Sequence, residues 1–288
     1  MERGKKSVVY AFIAVFLWST VATAFKIALK SLNYIQLLFI ASSVATLFLF
    51  ITFLFTRYKP ELRDILVSSL LGFLNPFLYY LVLFRSYSLL PAQTAMTLNY
   101  TWPLFIVLFS SLILKQKPTV FEIAGLLLGF CGAGIIATMG RPVSITGTIS
   151  ITGIILALLS AVIWGIYWIL NLKRDIPEIP GIFFNFLWGT VFIFILVFLK
   201  RQVPATGIKG YLSSMYVGLF EMGITFIIWL KALNLSNRIA AVSNLIYLTP
   251  FLSLLIISLI LKEKISPWSV LGLTITVLGI IITRIEKN

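Results

Sequence analysis

Glu221 is the acidic side chain placed nearest the middle of a long apolar run in this sequence. A carboxyl at such depth in hydrocarbon costs about 3 kcal/mol unless a cavity or partner receives it, so intramembrane acids mark ion, proton or substrate sites by default. Its chemistry would be to hold a proton or the cationic group of a ligand. The competing reading is a plain hydrogen bond in helix packing. Gly218 and Thr225 lie three and four residues away, on the same helical face. The residue 146 positions earlier is Asn75, beside Pro76, with Tyr79 one turn further on.

Aromatic and amide side chains form three more sets. Ser160, Trp164, Tyr167 and Asn171 recur at steps of four, three and four, which is one face of a helix. Thr97, Asn99, Tyr100 and Pro103 cluster in the run Thr97-Leu98-Asn99-Tyr100-Thr101-Trp102-Pro103, and Ser243, Asn244, Tyr247 and Pro250 do so 147 positions later. Trp18 falls on Trp164 at an offset of 146. Rings beside hydroxyls and amides suit an organic ligand with an apolar body and a polar end. Aromatics make up 15% of the chain, however, so most of them must simply face lipid or other helices.

Catalysis finds little foothold. The other acids, Glu2, Glu61, Asp64, Glu122, Asp175, Glu178, Glu263 and Glu286, fall at or near the ends of apolar runs. Histidine is absent and Cys131 is the single cysteine, which removes the usual nitrogen and thiolate sites for metals. The sequence has no glycine-rich phosphate loop. The expectation is a protein that is not an enzyme, with no metal, no cofactor and no ATP-driven step in the chain.

The elements that must position these residues follow from composition. With 60% apolar residues, 11% charged and a mean hydropathy of +1.04, the chain lies outside the globular range. The expected class is an all-α polytopic membrane protein. Apolar runs of bilayer-spanning length fall near 7–29, 34–55, 65–84, 92–114 and 119–139, then 149–171, 179–199, 211–233, 239–261 and 267–284. Ten helices are expected in a single transmembrane domain covering 1–288. The first 24 residues superficially resemble a secretory leader, but cleavage there would remove Trp18, so the segment is read as a mature helix. The net charge of +14 is spread singly or in pairs between apolar runs rather than along one stripe, which excludes a nucleic-acid partner. With the N-terminus inside, 14 of the 23 lysines and arginines fall on the cytoplasmic side, so both termini are expected there.

Leu98 to Ile135 laid on Leu245 to Ile282 gives 14 identities in 38 positions, including Tyr100/Tyr247, Pro103/Pro250, Lys117/Lys264, Gly125/Gly272 and Gly132/Gly279. Leucine and isoleucine alone would not put proline, tyrosine, lysine and glycine in register. The two repeats, 7–139 and 149–284, hold five helices each. An odd number inverts the second repeat in the membrane, with a pseudo-two-fold axis in the membrane plane. Pro103 and Pro250 then break their helices in corresponding halves, because each removes a backbone donor and crowds the carbonyl four residues back. Such a break is tolerated in a bilayer only where the freed carbonyl finds a partner or a wet cavity.

Two five-helix halves with these motifs resemble the EamA-type carriers of the drug/metabolite transporter superfamily. Within it the chain is similar to the aromatic amino acid exporter group, on Leu17-Trp18-Ser19-Thr20, Asn99-Tyr100-x-Trp102-Pro103, Ile163-Trp164 with Tyr167, and Tyr247-x-Thr249-Pro250. One departure stands out: the superfamily often carries Glu at the end of helix 4, where this chain has Lys115-Gln116-Lys117. The resemblance implies a secondary transporter of the cytoplasmic membrane, exporting amino acids or similar small amphipathic metabolites by alternating access, as a monomer or weak homodimer. The substrate-binding set expected is Trp18, Asn75, Tyr79, Thr97, Asn99, Tyr100, Trp164, Tyr167, Glu221, Asn244 and Tyr247, with protons as a candidate coupling ion. Two other classes stay open: an organic cation or multidrug exporter using Glu221 as counter-charge, and a membrane interaction protein that moves nothing.

Overall fold

The computed structural model describes residues 2–29, 31–90, 98–138, 150–202, 207–249, 252, 256 and 267–283. Among these, the regular structure is helical throughout. The first half supplies α1 (Glu2–Ala28), α2 (Tyr34–Leu54), α3, α4 (Trp102–Ile113) and α5 (Val120–Thr138). The second supplies α6 (Ile151–Lys173), α7 (Glu178–Leu199), α8, α9 and α10 (Pro267–Ile282). Three of the ten are irregular. α3 runs as Leu62–Gly72, a π-helical stretch Phe73–Leu78, and Tyr79–Leu89. α8 repeats that plan as Ile208–Tyr216, π-helical Val217–Ile224, and Thr225–Asn234. α9 passes from Ile239–Ser243 into a 3₁₀ stretch, Asn244–Leu248.

The chain is a multi-pass membrane protein. Its outward-facing residues are the large apolar ones, such as Phe12, Phe16, Leu47, Phe50, Leu54, Leu70, Leu112, Phe194 and Phe198, which water would not tolerate in such density. Turns are short and locally tied. Asn33 caps α2 in a reciprocal capping box with Gln36. In the α2–α3 turn the Tyr58 phenol donates to Asp64 at 2.7 Å, and that bond to a carboxylate pushes its pKa up to about 12.

The two halves meet as an inverted pair, and the contacts between them are reciprocal. On α5 and α10, Gly125 lies against the Gly279 backbone while Gly132 lies against that of Gly272. Since Gly272 is the counterpart of Gly125 and Gly279 that of Gly132, each contact is the image of the other, the signature of a two-fold. A methyl group at Gly125, Gly132 or Gly279 would collide with backbone, so small residues are what let the two helices approach. α2 and α7 show the same reciprocity at an offset of 144. Phe39 packs on Phe194 at 6.1 Å and Phe50 on Phe183 at 5.7 Å, while Thr46 and Thr190 share a hydroxyl hydrogen bond of 2.8 Å on the axis itself. Gly72 of α3 abuts Asn185, Trp188 and Gly189 of α7, and its counterpart Gly218 of α8 abuts Ala41 and Val44 of α2. Around this frame α1 packs on α8, and α3 and α4 pack on α6.

Candidate functional site

The breaks in α3 and α8 have local causes. Pro76 has no N–H, and its ring conflicts with a continuous helix. Asn75 before it takes φ −153° and ψ 124°, far from helical values. Gly189 on α7 leaves the space that the Pro76 ring occupies. α8 has no proline. There Gly218 and Gly223 lie within the π stretch, and the Thr225 hydroxyl donates to the Phe220 carbonyl in place of a neighbouring backbone donor. π-helical turns inside α-helices concentrate at functional sites. Asn75 and Glu221 occupy matching positions within the two stretches.

Glu221 is held by Tyr80, whose hydroxyl donates to Oε1 at 2.8 Å, bridging the second part of α3 to α8. Its other oxygen, Oε2, is buried and unpartnered. Asn75 is fully buried, with neither its amide nitrogen nor its oxygen hydrogen-bonded. Buried polar groups are paired in the great majority of cases, so each exception asks for an explanation such as a bound ligand or water.

Beside this pair stands a cluster of indoles. Trp18 and its counterpart Trp164 face one another across the pseudo-two-fold at 6.0 Å between ring centres. Trp229 lies 5.4 Å from Trp18, and Trp102 lies 5.7 Å from Trp229 and 6.0 Å from Trp164. Tyr79 stacks obliquely on Trp164 at 4.3 Å and meets Tyr80 at 4.8 Å, which connects the indoles to Glu221 through two rings. Phe226 closes one side at 5.5 Å from Trp164. The indole N–H groups of Trp164, Trp168 and Trp229 are buried without acceptors. The cluster thus offers π faces to a cation or an aromatic ring and surplus donors to a carbonyl or carboxylate.

The structure divides the residues expected from sequence among several places. Trp18, Tyr79, Trp164 and Glu221 belong to the indole and carboxyl group just described, and Asn75 sits in the matching break of α3. Tyr167 is fully buried and joins a polar chain instead. Asn185 of α7 donates to the Tyr167 hydroxyl at 3.3 Å and to Asn171 Oδ1 at 2.8 Å. Arg174 in turn donates to Asn185 at 3.2 Å, to Ser68 at 3.0 Å and to the Asp64 carbonyl at 3.1 Å. Asn99 donates to Ser160 of α6 at 3.0 Å, while Tyr100 is half-buried. Pro103 is the second residue of α4, a position whose N–H would go unused in any helix. The Leu104 and Phe105 N–H groups bond to Thr101, so the helix restarts there. Asn244 and Tyr247 lie against Gly129 of α5, with Tyr247 packed on Phe130 at 6.4 Å. Thr97 and Pro250 lie outside the described residues.

Sequence reasoning missed Trp102, Trp229, Tyr80 and Phe226. Trp229 stands eight residues after Glu221, roughly two turns on, and that spacing was the available signal. Tyr80 follows Tyr79 and would point elsewhere in a straight helix. Only the irregular turn ahead of it makes the placement intelligible.

A family model described as the EamA-like transporter family matches residues 5–138 and again 151–285. Among curated relatives, an uncharacterized transporter of Clostridium kluyveri is 29% identical over 197 residues, which is 66% of this chain and 63% of that protein. A probable terminal-alkyne amino-acid exporter of Streptantibioticus cattleyicolor is 27% identical over 233 residues, 78% of this chain and 74% of the exporter. A crystal structure with 21% sequence identity superposes with a TM-score of 0.83 over 97% of this chain and 98% of its own, a likeness of fold.

Proposed function

Since the chain belongs to the EamA-like transporter family, we propose that it acts as one secondary transporter domain exporting amino acids or similar small amphipathic metabolites across the cytoplasmic membrane. The observation that carries this reading is the group at the pseudo-two-fold: Trp18, Trp164, Trp229, Tyr79 and the Tyr80–Glu221 pair, with unpartnered indole N–H groups and a free carboxyl oxygen. An ammonium group fits Glu221 Oε2, an acceptor fits the indole donors, and an apolar body fits the ring faces. The broken stretches of α3 and α8 allow each half to bend where it meets the ligand, as discontinuous helices do in other inverted-repeat carriers. The two halves rock about the axis, exposing the group to one side and then the other. Protons couple through Glu221, whose charge changes as the halves exchange positions. Both termini face the cytoplasm, in keeping with the lysine and arginine count.

The test is a panel of labelled amino acids and metabolites offered to purified protein in liposomes, with and without an imposed pH gradient. Uptake of one or more amino acids, weakened by Trp164→Ala, supports the reading. An organic cation exporter is the second reading, favoured by the same carboxyl among π faces. It predicts competition by lipophilic cations and none by amino acids.

A further inference from the structure

A second polar group lies apart from the indoles, at the face of the bundle where α1 begins. Arg238, in the turn between α8 and α9, grips Glu122 near the start of α5 with two bonds, Nε to Oε1 and Nη2 to Oε2, both 2.7 Å. Glu122 is buried, whereas the Arg238 side chain is 52% exposed. The pair joins the first half of the chain to the second. It borders a cavity of about 180 Å³ between α4 and α9, with Val107, Ile239 and Ala240 as its apolar wall and Lys117 beside Arg238 as a second cation. Val107 is one turn beyond Pro103 and Ala240 one turn before Asn244, so the cavity lies between that face and the start of α4 and the 3₁₀ stretch of α9.

The construction of the pair suits opening rather than permanence. Glu122 Oε2 also accepts the Thr119 N–H at 2.9 Å, and the Thr119 hydroxyl accepts the Glu122 N–H at 3.2 Å, a reciprocal capping box. If Arg238 leaves, Glu122 keeps that donor and the favourable N-terminal end of α5. Arg238 returns to water, and Ser236, bonded to both its N–H and its carbonyl, still shapes the turn. An exposed guanidinium of this kind contributes little net stability in its ion pair, yet its planar fork can donate bidentately to any carboxylate.

We infer that Glu122 and Arg238 form a latch between the two halves, and that the adjoining cavity admits a small ligand carboxylate which takes Arg238 from Glu122 and opens this face. The inference rests on the transporter reading and adds to it a recognition site for the carboxylate of the substrate, distinct from the group around Glu221. The apolar wall receives the aliphatic part of the ligand, and Lys117 adds charge at the rim.

Ser110 lines the same cavity and is buried. The experiment places a single thiol there, Ser110→Cys in a Cys131→Ser background, in full-length protein in lipid nanodiscs. The rate of maleimide labelling is then measured. Glu122→Gln keeps the capping box but removes the charge, and is expected to raise the rate several-fold. Arg238→Gln should do the same, and the double variant should label no faster than either single one. L-Valine should accelerate labelling of the parent but of neither variant, while L-valinamide, which lacks the carboxylate, leaves the parent unchanged. Unchanged rates in both single variants, additive effects in the double, or equal action of valine and valinamide would each overturn the latch. Transport measured on the same preparations separates the two claims. Labelling that responds as described in a protein that moves no substrate leaves the latch and removes the transporter reading. Transport with unresponsive labelling does the reverse.

Discussion

Glu221 concentrates the residue-scale argument, because its two carboxyl oxygens have different fates. One receives the Tyr80 hydroxyl and the other receives nothing in a buried setting. Glu221→Gln keeps the size and the bond from Tyr80 while removing the titratable charge. Transport driven by an imposed pH gradient should fall to the level seen without one, while exchange of substrate across the membrane persists. A variant that responds to the gradient as fully as the parent contradicts proton coupling through this residue. Trp164 tests the ring faces. Its loss removes contacts with Trp18, Trp102 and Tyr79, each aromatic pair contributing roughly 1 kcal/mol beyond burial. Trp164→Ala should therefore raise KM by about fivefold or more, one such interaction with the substrate being close to a factor of five, and Trp164→Phe should recover most of it. Equal KM values in uptake assays of the three proteins would place the substrate elsewhere. Glu221 and Trp164 were legible in the sequence because an acid in hydrocarbon and a symmetric tryptophan are both rare. Trp229 was signalled only by its spacing of eight from Glu221, and Trp102 not at all. In a chain with so many aromatics, nothing local distinguishes an indole that faces the axis from one that faces lipid.

At the scale of elements, the repeat was readable where it is carried by unusual residues. The glycines of α5 and α10 reach across to one another's counterparts in the folded chain, as their offset of 147 implies. Gly132→Leu should collide with the Gly272 carbonyl and Thr276 and, as overpacking does, destabilise by about 1–3 kcal/mol. A lowered midpoint in a detergent thermal-shift assay checks this, with Gly4→Leu, which meets open space, as the unaffected control. The repeat between α2 and α7 escaped the sequence because its partners are phenylalanines and one threonine pair, at an offset two or three residues shorter than elsewhere. The breaks were legible only in part. Pro76 and Pro103 announce interruptions, since a missing N–H is visible in the sequence. The π stretch of α8 contains no proline, and its irregularity comes from packing of Gly218 on α2 and from the Thr225 hydroxyl, both tertiary facts.

The whole molecule is two inverted halves meeting on an axis lined by like pairs, Trp18 with Trp164 and Thr46 with Thr190. That symmetry would give the proposed alternating motion two equivalent end points. Glu221 has Asn75 as its counterpart in the repeat, and among the described residues the Arg174 chain and the Glu122–Arg238 pair have no counterparts of their type in the other half. Position in the membrane belongs to this scale too. The lysine and arginine count favours both termini on the cytoplasmic side. A reporter fused after Asn288 that is active only in the cytoplasm should report strongly, and a silent fusion would invert the assignment. The central claim is that the group at the axis carries a small amphipathic substrate across the membrane. Its most direct test is counterflow of labelled amino acids into liposomes containing the purified protein and preloaded with the same compound. The account predicts saturable accumulation that Trp164→Ala reduces and Glu221→Gln retains. Accumulation no greater than in protein-free liposomes, across amino acids and organic cations alike, would contradict it.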